Sequence, residues 1–274
     1  MTTITTMVMP ATDTIITMPA ARPATTPPTD TTTGMTDRAD PADEGRPADG
    51  AALFRLMTWL SPAFPVGAFT YSHGLEQVIE DGVVARAADL SAWIEGILRH
   101  GAGRSDAVIL AEAFRAARAG DDARLAAVAD LAVALQPSRE RRLEAAAQGR
   151  AFAQAIAATW DSPTLARLVA ARQADTIAYP VAVAVTGADH AVPLGALTEA
   201  YLTAFAANLV SAAVRAVPLG QTDGQRVVRD LAPVVSQVVA EALAAPADDI
   251  GGAALRADIA SMRHETQYTR LFRS

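Results

Sequence analysis

Four histidines, His73, His100, His190 and His264, are the residues of this chain best equipped to hold a metal or move a proton. No two of them stand four apart, the spacing that converges two imidazoles on one ion from a single helix face. His264 is followed by Glu265, but adjacent side chains on a helix point about 100° apart and do not meet. Each histidine taken singly reads as a structural or surface residue, and no metal site is expected. The stretch "HGAGRSD" (100–106) holds a Gly-x-Gly, yet it follows a helical pattern, so it reads as a helix-to-helix turn and not a dinucleotide cradle. "PSRERR" gathers Arg139, Arg141 and Arg142 around Glu140, which reads as a solvated helix start. No Ser-His-Asp order and no paired-carboxylate site declares itself.

Two absences narrow the chemistry further. The chain has no cysteine, which excludes disulfides, thiolate zinc sites and thiol catalysis. It also has no lysine: all 23 basic residues are arginine. A phosphate loop ending in Gly-Lys-Ser/Thr and a lysine Schiff base are therefore impossible. The formal net charge of −7 disfavours a general nucleic-acid or anionic-membrane role, since both attract basic surfaces.

Ala, Leu and Val make up most of the 51% apolar share, and only 5% of residues are aromatic. Ala and Leu are strong helix formers, and small side chains let helices approach closely. Residues 1–50 differ, being Thr-, Pro-, Asp- and Ala-rich without apolar periodicity; they read as a disordered arm and not a signal peptide. No run of eighteen apolar residues is present, so no membrane span is expected.

From Ala51 to Ser274 the pattern predicts one compact all-α domain of about ten helices. "AALFRLMTWL" sets Leu53, Leu56, Met57 and Leu60 at helical spacing before Pro62, Pro65 and Gly67 stop the helix. Asp89 or Ser91 is the expected cap of a helix striped by Leu90, Trp93, Ile94, Ile97 and Leu98. Further helices are expected near 105–119 and 121–135. Ser138 should cap one of roughly twenty residues, and Ser162 should cap the next, with Pro163 in its first position. "TIAYPVAVAVTG" alternates like a strand, but a lone short strand has no partner, so it is assigned to a buried helix. Helices at 194–216, from Thr222 with a bend or restart at Pro233, and at 253–266 complete the chain.

Three stretches are not routine helix or linker. "SPAFPVGAFTYSHGLE" (61–76) sets Phe64, Phe69 and Tyr71 among Gly/Pro-fixed turns. "NLVSAAVRAVPLGQTDGQ" (208–225) ends one helix at Pro218 and Gly220 and offers Thr222 and Asp223 as caps for the next, with Gln221 beside the turn. The tail "SMRHETQYTRLFRS" (261–274) ends on arginines, aromatics and a leucine, unlike a tail that only solvates.

These stretches, in this order and separation, resemble the urease accessory protein UreF family and bracket nearly all of residues 53–274. The resemblance implies an all-α, cytoplasmic, non-enzymatic protein that bridges UreD (also called UreH) and the GTPase UreG for nickel insertion into the urease apoprotein. It implies no resident cofactor and no metal site of its own, and it implies a homodimer. A nickel-storing helical metallochaperone and an unrecognised helical enzyme are the rival readings. Partner-binding positions implied by the matching motifs are Tyr71, His73, Glu76, Gln221, His264, Tyr268, Arg270, Leu271 and Phe272. Arg270 carries the arginine of the family's "RLF" unit, expected to lock the tail near the loop of Tyr71. The dimer contact is assigned to the apolar face of the 194–216 helix through Tyr201 and Phe205, for which a core role is equally natural from pattern alone.

Overall fold

The structure, a computed structural model, describes residues 44–172 and 176–274. The arm expected over residues 1–50 falls mostly outside these, at 1–43. Its last residues are within them and are tied down. Glu44 accepts from Arg115 at 2.7 and 2.9 Å, and the Asp49 side chain accepts from the Ala52 amide at 2.8 Å as a helix cap. Helix α1 therefore starts at Gly50 (Gly50–Trp59), inside the stretch assigned to the arm.

The remaining helices run in chain order as α2 (Leu75–Glu80), α3 (Ala87–His100), α4 (Ala102–Ala119), α5 (Asp122–Ala134) and α6 (Arg139–Thr159). They continue as α7 (Pro163–Ala171), α8 (Tyr179–Asp189), α9 (Leu194–Ala216), α10 (Gln221–Ala244) and α11 (Leu255–His264). No strand occurs among the described residues, so the chain is all-α as its pattern predicts. The ambiguous "TIAYPVAVAVTG" forms α8, with every residue from Val181 to Val185 at 0% exposure. It packs against α4, whose residues 107–111 are equally buried. Burial on all sides explains why no amphipathic period was visible. Close approach is enforced at Gly149 of α6, where a Cβ would lie 2.0 Å from the Ile177 carbonyl oxygen. Pro233 sits inside α10, which continues through it.

Three helix starts differ from the caps expected, and in one of them a distant residue supplies the cap. Ser162 does not cap α7 with its side chain; its hydroxyl donates to Asp189 at 2.6 Å, and the same Asp189 oxygen accepts the Thr164 amide at 2.9 Å. Helix α3 begins at Ala87, ahead of Asp89 and Ser91, and Asp89 reaches back to the Arg86 amide at 3.1 Å. Helix α10 begins at Gln221 with Gly220 as its cap, so neither Thr222 nor Asp223 takes that place. In α1 the inward face is Ala52, Leu56 and Trp59, while Leu53, Phe54 and Met57 are 51%, 64% and 69% exposed. Helix α9 is long and apolar enough to cross a membrane by length and composition, but its apolar residues are largely buried against α10, α4 and α3.

Candidate functional site

Residues 61–76 form a loop whose shape depends on left-handed backbone at Gly67, His73 and Gly74, with φ of 71°, 57° and 72°. At Gly74 a Cβ would fall 2.5 Å from the Ser261 nitrogen of α11, so only glycine fits there. This contact brings the start of α2 against α11 and points the tail back across the loop.

Glu76, in the first turn of α2, is the tail's main anchor. One carboxylate oxygen accepts the Leu271 amide at 2.7 Å; the other accepts the Phe272 amide at 3.0 Å and lies 3.3 Å from His264 Nε2. His264 is fully buried, with Nδ1 2.6 Å from Glu140. Glu140 also accepts from Arg270 at 2.6 Å. The loop backbone adds its own bonds: the Arg273 amide donates to Thr70 at 2.8 Å, and the Ser72 amide donates to Ser274 at 2.7 Å. Arg215, at the end of α9, donates to the Phe69 carbonyl at 2.7 Å and stacks 4.7 Å over the Phe272 ring.

Beneath the tail lies a cavity of about 60 Å³ with a mostly apolar lining into which Tyr71, His73, Asp106, Arg141, Glu144 and Tyr201 bring polar groups. Glu144 accepts from His73 Nε2 at 2.7 Å, Gln148 at 2.9 Å, the Ser274 hydroxyl at 2.6 Å and Arg141. Burial pushes its carboxyl up, but Arg141, His73 and these hydrogen bonds outweigh that and leave it near 2. Asp106 accepts from the Tyr201 hydroxyl at 2.9 Å. There burial dominates over Arg141 and Tyr201 and pushes the carboxyl up to about 6. Burial, with Arg141 beside it, holds His73 below its ordinary value and therefore neutral near pH 7. Its Nε2–H donates to Glu144, and its buried Nδ1 has no partner.

The opposite shifts make a testable pair. The folded chain holds the Asp106 proton more tightly than an unfolded chain would at 3.8. The resulting stabilisation is complete below pH 3.8 and is lost as pH rises through about 6. Asp106→Asn, which keeps an acceptor for Tyr201, should therefore raise stability at pH 8 by about 1–3 kcal/mol and add nothing below about pH 4. Urea melts across that range would show it; an Asn variant no more stable at pH 8 than the parent would sink the assignment.

The structure sorts the sequence-derived positions into two groups. Tyr71 (8% exposed), Glu76, His264 and Phe272 are buried and build the seat of the tail, as does His73 beneath it. Tyr268, Leu271 and Arg270 face outward, with Tyr268 entirely exposed. Arg270 grips Glu140 of α6 and makes no bond to the Tyr71 loop; the loop is held by Glu76, Arg215 and backbone pairs. Gln221 is exposed and has no hydrogen bond to this assembly among the described residues. Tyr201 and Phe205 are 4% and 9% exposed and pack into the core and the cavity, so the apolar face of α9 is filled within the chain. Sequence reading missed Glu144, Arg141, Asp106, Glu140 and Arg215. The "PSRERR" cluster was the available signal, but it read as a solvated helix start because nothing local shows which of its residues turn inward.

No group of three or more His, Cys, Asp or Glu side chains able to hold a metal occurs among the described residues. The tail is clamped against a helical body, and apolar and arginine side chains are exposed around it. Residues 84–232 match the UreF family model. Urease accessory protein UreF of Rhodopseudomonas palustris (strain BisA53) is 57% identical over 240 residues, covering 88% of this chain and all of that relative. Urease accessory protein UreF of Bradyrhizobium sp. (strain BTAi1) is 54% identical over 226 residues, 82% of this chain and 93% of the relative. That of Bradyrhizobium diazoefficiens (strain USDA 110) is 51% identical over 226 residues, again 82% and 93%. The chain belongs to the UreF family of urease accessory proteins.

Proposed function

We propose that the chain bridges UreD (UreH) and the GTPase UreG in the cytoplasm, within an assembly that inserts nickel into the urease apoprotein at the expense of GTP. Its own contribution is docking surface, with nucleotide chemistry left to UreG and nickel passing as cargo. The observation that carries this reading is the tail. Residues 270–274 are fixed from beneath by Glu76, Glu140 and Glu144, and this fixing turns Tyr268, Arg270 and Leu271 outward as a preformed surface. Preorganisation of this kind lowers the ordering cost of binding. The test is a tagged chain co-expressed with the urease operon products: UreD and UreG should co-purify with it, and their absence from the eluate would refute the bridge.

Arg270→Ala is the sharper probe. The Arg270 side chain is 40% exposed, and pairs of that kind contribute about 0–1 kcal/mol. Helicity and dimerisation should survive, because Glu76 still clamps the tail. Recruitment of UreG should weaken by up to about tenfold, the equivalent of about 1.4 kcal/mol, with urease activation falling in step. Full activation by this variant would remove Arg270 from the docking surface.

The homodimer, on this reading, uses apolar side chains that the fold leaves uncovered and not Tyr201 and Phe205. Leu53, Phe54 and Met57 of α1 meet that condition. Phe54→Asp combined with Met57→Asp should give a folded monomer by light scattering. Tyr201→Asp should instead unfold the chain, because it sets a second carboxylate beside buried Asp106. An unchanged dimer mass in the α1 variant would eliminate that face.

A further inference from the structure

The tail face carries three arginines without a carboxylate partner among the described residues, on a chain of formal net charge −7. Its carboxylates are engaged within the chain. Glu76 holds the tail amides, Glu140 holds His264 and Arg270, and Glu265 accepts the Arg139 amide at 2.8 Å. Glu80 accepts from Gln267, and Asp81 pairs with Arg263. The guanidinium groups of Arg139, Arg142 and Arg273 are exposed and have no carboxylate partner among the described residues. Arg139 and Arg142 stand one turn apart at the start of α6, next to the pairing of Glu140 with Arg270. Arg273 bonds Thr70 beside exposed Phe69. Apolar side chains lie among these charges: Leu143, Leu271 and Phe69 are 59%, 72% and 62% exposed.

We propose that this face docks a protein surface bearing a cluster of carboxylates beside an apolar patch. The inference rests on the docking role of the tail and adds the chemistry of the partner. Free guanidinium forks match carboxylates in pairs of parallel hydrogen bonds. The uncovered leucines and phenylalanine need an apolar counterpart, which a phosphate backbone does not offer. Nucleic acid and anionic lipid reward dense positive charge, and here three free arginines are separated by apolar residues on an acidic chain.

The experiment uses the full chain co-expressed with UreD and with UreG, each pair measured separately from about 50 to about 500 mM salt. The triple variant Arg139→Glu, Arg142→Glu, Arg273→Glu should keep its helicity by circular dichroism. It should bind at least one partner about tenfold or more weakly and show a flatter salt dependence. Leu271→Asp is the companion variant, since it should weaken docking to any protein partner whatever its charge. Weakening by Leu271→Asp with the arginine triple unaffected overturns the acidic-partner inference and leaves tail docking standing. If neither variant weakens binding, the docking role falls and the inference with it. Binding of the parent chain to phosphatidylserine vesicles or RNA, lost in the triple while partner binding is retained, overturns the inference in favour of a phosphate ligand.

Discussion

A Glu144→Ala chain is expected to lose about 3–5 kcal/mol of stability, a large share of the roughly 5–15 kcal/mol that holds a typical domain folded. The side chains of Glu144 and Arg141 are 3% and 6% exposed, and Glu144 is the carboxylate on which Arg141 closes. Alanine leaves that guanidinium buried without its counter-charge, and it also removes the acceptor of His73, Gln148 and the Ser274 hydroxyl. Urea denaturation at pH 7.5 would measure the loss. The double variant Arg141→Met, Glu144→Leu should recover most of it, because the penalty comes from breaking the pair and not from lacking one. The acid limb gives a second readout. The folded carboxyl titrates near 2 against an ordinary 4.5, so its contribution is present above about 4.5 and is lost as pH falls toward 2. Glu144→Gln should flatten that limb. A Glu144→Ala chain within about 1 kcal/mol of the parent would mean that Arg141 finds another carboxylate, and the assignment would fail.

Glu76→Ala is expected to free the tail and leave the helical body intact. Two backbone amides, of Leu271 and Phe272, converge on this one carboxylate, which is 8% exposed. Hydrogen bonds to a charged acceptor contribute about 1.5–3 kcal/mol each. The amides can regain water by leaving, so the segment detaches before the core is strained. A loss of about 3 kcal/mol of local stability corresponds to roughly a hundredfold rise in tail opening. Hydrogen exchange at residues 271–274 should accelerate by that order while the α4 and α8 amides stay protected. Glu76→Gln should fall between, since one amide oxygen cannot reproduce both carboxylate bonds. Unchanged exchange in the alanine variant would show that Arg215, Arg270 and the Thr70 and Ser72 backbone bonds suffice to seat the tail.

The amino-acid sequence by itself determined the all-α class, most helix spans and the special standing of residues 61–76 and 261–274. Proline and glycine stops, capping residues such as Ser138 and the 3.6-residue apolar period are local signals that survive without knowledge of the fold. It also settled, through missing cysteine and lysine, what chemistry the chain cannot perform. Only the tertiary structure decided which of these residues face outward. Tyr71, His264 and Phe272 look like anchors in sequence but are buried under or within the tail, and Tyr201 and Phe205 fill the core. The cap of α7 comes from Asp189, and the tail is held by Glu76, Glu140 and Glu144 across separations of more than a hundred residues. Those pairings depend on which helices pack together, a long-range property that composition and period do not encode. The buried carboxylates Asp106 and Glu144 show this most clearly. They are the same functional group in sequence, but one is held protonated up to about pH 6 and the other ionised down to about 2, because only Glu144 is closed upon by Arg141.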